Sequence, residues 1–111
     1  EKDLTKQLNL KFKSTLRMSK EYKSYLKELD GLKAKLKKEE ESEVEEYYIN
    51  KTKEYIQDTE TTISEVKKKY REYLDSLIAV TGEITSDELK ESEDYKKAMT
   101  LIEESMTVFN N

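Results

Sequence analysis

Apolar side chains recur along this chain at alternating steps of four and three, the spacing that gathers them on one face of an α-helix. The first run is Leu4, Leu8, Lys11, Thr15, Met18, Tyr22, Tyr25, Leu29, Leu32 and Leu36. Phe12, Leu16 and Leu26 lie just beside it and widen the stripe, so that the helix meets two neighbours rather than one. Gly31 sits inside the run and costs about 1 kcal/mol of helix propensity relative to Ala, but the pattern passes through it unchanged. The spacing predicts one helix over about residues 3–38.

The cluster Glu39, Glu40, Glu41, Ser42 and Glu43 interrupts the apolar period and crowds like charge, which marks the first connection. The period then resumes at Ile49, Thr52, Ile56, Thr59, Ile63, Val66, Tyr70, Tyr73, Leu77 and Val80, consecutive heptad positions without a charged residue. This predicts a second helix over about 44–81, and a carboxylate placed at Ile63 is expected to unfold it from within. Gly82 is suited to a left-handed helix end, and Thr85-Ser86-Asp87-Glu88 reads as a capping box. Ser92, Tyr95, Met99, Ile102, Met106 and Phe109 then carry a shorter third helix over about 86–109.

Two short connections between long helices imply antiparallel neighbours, with the third helix in the groove between the first two. The expected fold is all-α, an elongated antiparallel three-helix bundle with left-handed, coiled-coil-like packing, as a single domain over residues 1–111. At about 1.5 Å per residue the two long helices would each reach about 50 Å, which predicts a rod.

Composition supports long helices and removes most catalytic chemistry. There is no proline and there are only two glycines, too few for the turns of an all-β fold. The absence of Cys and His takes away thiol nucleophiles, thiolate metal sites and the usual acid-base residue near neutral pH. No glycine-rich loop is present to cradle phosphate. The carboxylates fall on polar helix faces, where solvated charge is their ordinary role, so no catalytic residue, metal site or cofactor is expected. No segment approaches the roughly 20 apolar residues of a membrane span, nor does the start of the chain carry a signal-peptide core.

Charged residues make up 41% of the chain, and their distribution matters more than the net −4. Residues 1–38 carry +7, residues 39–46 carry −6, residues 47–80 balance, and residues 81–111 carry −5. The basic first helix either complements the acidic third one or meets an acidic partner. The runs Lys33, Lys35, Lys37, Lys38 and Lys67, Lys68, Lys69, Arg71 suit solvated faces better than nucleic acid, since the sequence pI is about 5.1. The same acidity argues against a membrane surface. Tyr22, Tyr25, Tyr70, Tyr73 and Tyr95 take seam positions, with hydroxyls expected to reach the surface, whereas Tyr47, Tyr48 and Tyr55 serve either a partner or the loop packing.

Three stretches in order resemble the tubulin-binding cofactor A family. They are Leu10-Lys11 followed by Arg17-x-x-Lys20-Glu21-x-x-x-Tyr25-x-Lys27-Glu28, then Tyr47-x-Ile49-x-Lys51-x-x-Glu54-x-Ile56, then Glu93-Asp94-Tyr95-Lys96-x-Ala98. One departure is Ser64, where the family often has a proline, so the kink it would bring to the second helix is in question. The resemblance implies a cytoplasmic, cytoskeleton-associated chaperone that captures β-tubulin folding intermediates released by the cytosolic chaperonin and passes them to other tubulin-folding cofactors. It also implies that the motif residues Arg17, Lys20, Glu21, Lys27 and Glu28 contact the partner. The alternative is a structural or trafficking bundle of the spectrin-repeat or SNARE-regulatory type. Pairing of the chain as a homodimer along an exposed seam is left open.

Overall fold

A computed structural model describes the backbone of residues 2–110 and the side chains of residues 3–110. Every regular element among them is an α-helix, as the period requires. There are four: α1 (Lys2–Glu41), α2 (Glu46–Glu83), α3 (Asp87–Lys90) and α4 (Glu93–Phe109). The expected third helix is therefore broken in two. Ser86 caps α3 by accepting from the Leu89 amide, and Ser92 caps α4 by accepting from the Tyr95 amide at 3.2 Å while donating to the Leu89 carbonyl at 2.6 Å. Each serine is followed by two acids, Asp87-Glu88 and Glu93-Asp94, which favour the positive end of the helix that follows. Ser92 is thus a cap and not a seam residue, and Ser86 rather than Thr85 is the first cap.

The helix ends differ from expectation in a second way. α1 runs on through Glu41, and the left-handed residue that closes it is Glu43, with φ 55°, while no glycine has positive φ. The Val44 amide reaches back 3.3 Å to the Glu39 carbonyl, the long bond of a Schellman cap. Gly82 stays helical inside the last turn of α2, where an Ile84 amide to Thr81 carbonyl bond of 3.2 Å tightens the exit. α2 is continuous through Ser64.

The chain divides into two compact units, residues 1–20 with 68–111, and residues 21–67. In the first, the start of α1 and the end of α2 meet α3 and α4 around one core. Leu8, Leu77, Val80, Ile84, Ala98 and Leu101 are buried together, with Leu4, Phe12, Leu16, Leu89, Tyr95 and Ile102 packed against them. Leu74 is fully buried as well. Thr15 is enclosed here too and donates 3.1 Å to the Tyr73 carbonyl, joining α1 to α2. Tyr70 is only 2% exposed, and its hydroxyl ends inside the protein on Ser105 rather than at the surface.

The second unit is an antiparallel helical hairpin, and its packing is of another kind. Leu29, Leu32 and Leu36 of α1 and Ile49, Ile56, Ile63 and Val66 of α2 are all half-buried. The buried positions of this hairpin are threonines, Thr52 and Thr59. Two helices enclose only the line where they touch, so a small residue sits at the bottom while larger neighbours keep one flank in water. The Thr52 hydroxyl lies 2.6 Å from Glu39 Oε1, joining the two arms, and 3.2 Å from the Tyr48 carbonyl. Ile63 therefore does not hold the closed core position its place in the period suggests.

Candidate partner-binding surface

All five motif residues of α1 are exposed. Arg17 and Lys20 stand on the first unit, and Glu21, Lys27 and Glu28 on the second. Among the described residues none of them is held in an ion pair. Their side chains are open to a partner, and nothing in the fold requires their charges. The ion pairs that do form, Lys51–Glu54 at 3.5 Å, Arg71–Asp75 at 3.1 Å and Lys96–Glu91 at 3.4 Å, lie at the surface and each contributes well under about 1 kcal/mol.

The three uncommitted tyrosines of α2 also resolve to the surface. Tyr47 is 63% exposed, and Tyr48 and Tyr55 are each 54% exposed. Tyr47 and Tyr48 meet edge to face at 5.3 Å, and Lys51 Nζ stands 5.8 Å from the Tyr47 ring centroid. Tyr47 and Tyr48 thus form an exposed aromatic pair with a cation at its edge, and Tyr55 is exposed further along α2.

The periodicity gave no notice of a groove in the first unit. Phe12 and Leu16 of α1 and Leu101 of α4 make an apolar floor, and Lys96, Lys97, Thr100 and Glu104 of α4 make the rim, around a volume of about 310 Å³. Phe12 and Leu16 were legible as stripe residues, but only the approach of α4 leaves their outer sides facing an open channel. Among the described residues no cluster of His, Cys, Asp and Glu is arranged to hold a metal ion, and no helix is long and apolar enough to cross a membrane.

Residues 3–102 match the family described as tubulin binding cofactor A, a span that runs from the first turn of α1 into α4. The chain belongs to the tubulin binding cofactor A family. Membership carries the family's role as a tubulin-folding cofactor. The crystal structure of tubulin folding cofactor A from Arabidopsis thaliana superposes with a TM-score of 0.89, covering 96% of this chain and 99% of that one. At 19% identity the likeness speaks for the fold alone. A search of curated protein sequences gave no match. Within the third resembling stretch, Ala98 is buried in the core, Tyr95 packs against it and Lys96 stands on the groove rim. That motif therefore mixes residues that hold α4 in place with one that faces outward.

Proposed function

We propose that this chain captures β-tubulin folding intermediates after their release from the cytosolic chaperonin and passes them to other tubulin-folding cofactors. It does so as a single cytoplasmic, cytoskeleton-associated domain, in which α3 and α4 together take the part of a third helix. Capture is non-catalytic and uses outer helix faces while the core stays closed. The observation that carries this reading is the family match over residues 3–102. It also favours a chaperone over a spectrin-like or SNARE-regulatory module.

The contact residues proposed on α1 are Arg17, Lys20, Glu21, Lys27 and Glu28. Their exposure and lack of ion-pair partners among the described residues support that role. The chemistry that would act there is charge-assisted contact at a polar interface, which sets partner choice and association rate more than it sets affinity.

The test is a pull-down with the purified chain against β-tubulin, α-tubulin and unrelated acidic proteins. Preferential retention of β-tubulin is expected. Equal retention of all three, or of none, ends this reading.

A further inference from the structure

The groove between α1 and α4 in the first unit combines an apolar floor with cations beside it. Its floor is apolar: Leu101 belongs to the buried core, while Phe12 and Leu16 pack against that core and are only partly covered. Its α1 side is cationic, whereas α4 carries Glu93, Asp94, Glu103 and Glu104 beside its two lysines. Residues 4–20 of α1 include Lys6, Lys11, Lys13, Arg17 and Lys20 and no Asp or Glu. From α4, Lys96 and Lys97 stand on the rim against one carboxylate, Glu104. Lys96 is engaged by Glu91 at 3.4 Å, whereas Lys97 has no ion-pair partner among the described residues.

We propose that this groove is the docking site for an acidic, amphipathic segment of a protein partner, anchored by one or two large apolar side chains on Phe12, Leu16 and Leu101. The identity of that partner as β-tubulin rests on the function proposed above; the groove chemistry does not. An apolar anchor in a pocket with a charged rim is the usual way a small surface gathers binding energy. The cations around the rim select the sign of the segment and speed its arrival. A volume of about 310 Å³ is at the small end of ligand pockets, which suits a few side chains rather than a whole helix face. A basic segment would meet like charge from α1 and leave the Lys97 ammonium unanswered.

The experiment is an NMR titration of the isotope-labelled full chain with three synthetic peptides. One is rich in Glu with two leucines, one has the leucines changed to Ser, and one has every Glu changed to Lys. The expected result is saturable shift changes at the amides of Phe12, Leu16, Thr100 and Leu101 with the first peptide only. Lys97→Glu should weaken that binding roughly tenfold and leave the melting temperature unchanged, because the side chain is at the surface. Shifts centred elsewhere, an equal response to the Lys peptide, no saturable binding, or no effect of Lys97→Glu would each overturn the proposal. β-Tubulin capture is measured beside it on both chains. If the native chain captures none, the functional reading fails and the groove result stands. If capture survives undiminished in a Lys97→Glu chain that has lost the peptide, tubulin uses another face.

Discussion

The Tyr70 phenol donates a 2.6 Å hydrogen bond to Ser105 Oγ in the interior of the first unit, tying α2 to α4 where both side chains are almost fully enclosed. Phe109 meets the same ring edge to face at 5.0 Å, and the Arg71 guanidinium lies 5.3 Å from the Phe109 centroid. The C-terminal turn of α4 is thereby held by a ring, a hydroxyl pair and a cation over an aromatic face.

Removing one half of that buried hydroxyl pair should destabilise the protein through the partner left behind. Ser105→Ala is expected to cost about 1–2 kcal/mol, read as a lower midpoint in urea unfolding. Tyr70→Ala should cost more, about 3–5 kcal/mol, because it also empties a ring-sized space. An unchanged midpoint for Ser105→Ala would show that the hydrogen bond does not contribute.

Glu43 is held in the left-handed region, where a side chain is disfavoured by about 1–2 kcal/mol. Glu43→Gly should therefore raise stability, by about 1 kcal/mol once the extra freedom of glycine in the unfolded chain is subtracted. Glu43→Val should lower it. Thermal melts of the two variants against the native chain test the opposite signs.

Gly31 lies within α1, and a methyl group added there meets nothing within 4 Å. Gly31→Ala is predicted to stabilise by about 0.5–1 kcal/mol through helix propensity alone. A loss of stability would reveal a contact that the helix surface does not show.

The two units should answer core truncation differently. Leu77 is fully buried and Ile63 half-buried, so Leu77→Ala is expected to cost about 3 kcal/mol and Ile63→Ala about 1 kcal/mol. Chemical denaturation of the pair measures the contrast. Equal losses would mean that Ile63 is closed off from water. For the same reason a carboxylate at Ile63 can turn its charge toward the open flank, and should weaken the hairpin without abolishing the fold.

Charge reversal on α1 separates surface from core. Arg17→Glu with Lys20→Glu should leave helicity and melting temperature nearly as they are, since both side chains are exposed, while β-tubulin capture falls. Circular dichroism and the pull-down are read on the same preparation. If the double variant unfolds, the face assigned to solvent is wrong.

The all-helical class, the two long helices and the first break at the glutamate cluster were legible in the sequence, because the period of apolar positions is a local property that each segment carries in its own residues; the split of the expected third helix into α3 and α4 was not. The absence of His- and Cys-based chemistry was legible too, as were the three resembling stretches that pointed to the tubulin binding cofactor A family. Which member of the period goes deepest was not legible. Thr52 and Thr59 are buried while Ile49, Ile56 and Ile63 keep a flank in water, since two helices enclose only the line where they touch, and which side chains fit on that line is set by the facing helix and not by the period of one. The same holds for the inward hydroxyl of Tyr70, which needs Ser105 across from it, and for Ser92, whose spacing fits a seam until the chain breaks there and uses it as a cap. The groove beside Phe12 and Leu16 belongs to this second class as well. A helix can specify its own apolar stripe, but how much of that stripe is covered is decided by the neighbour that packs on it.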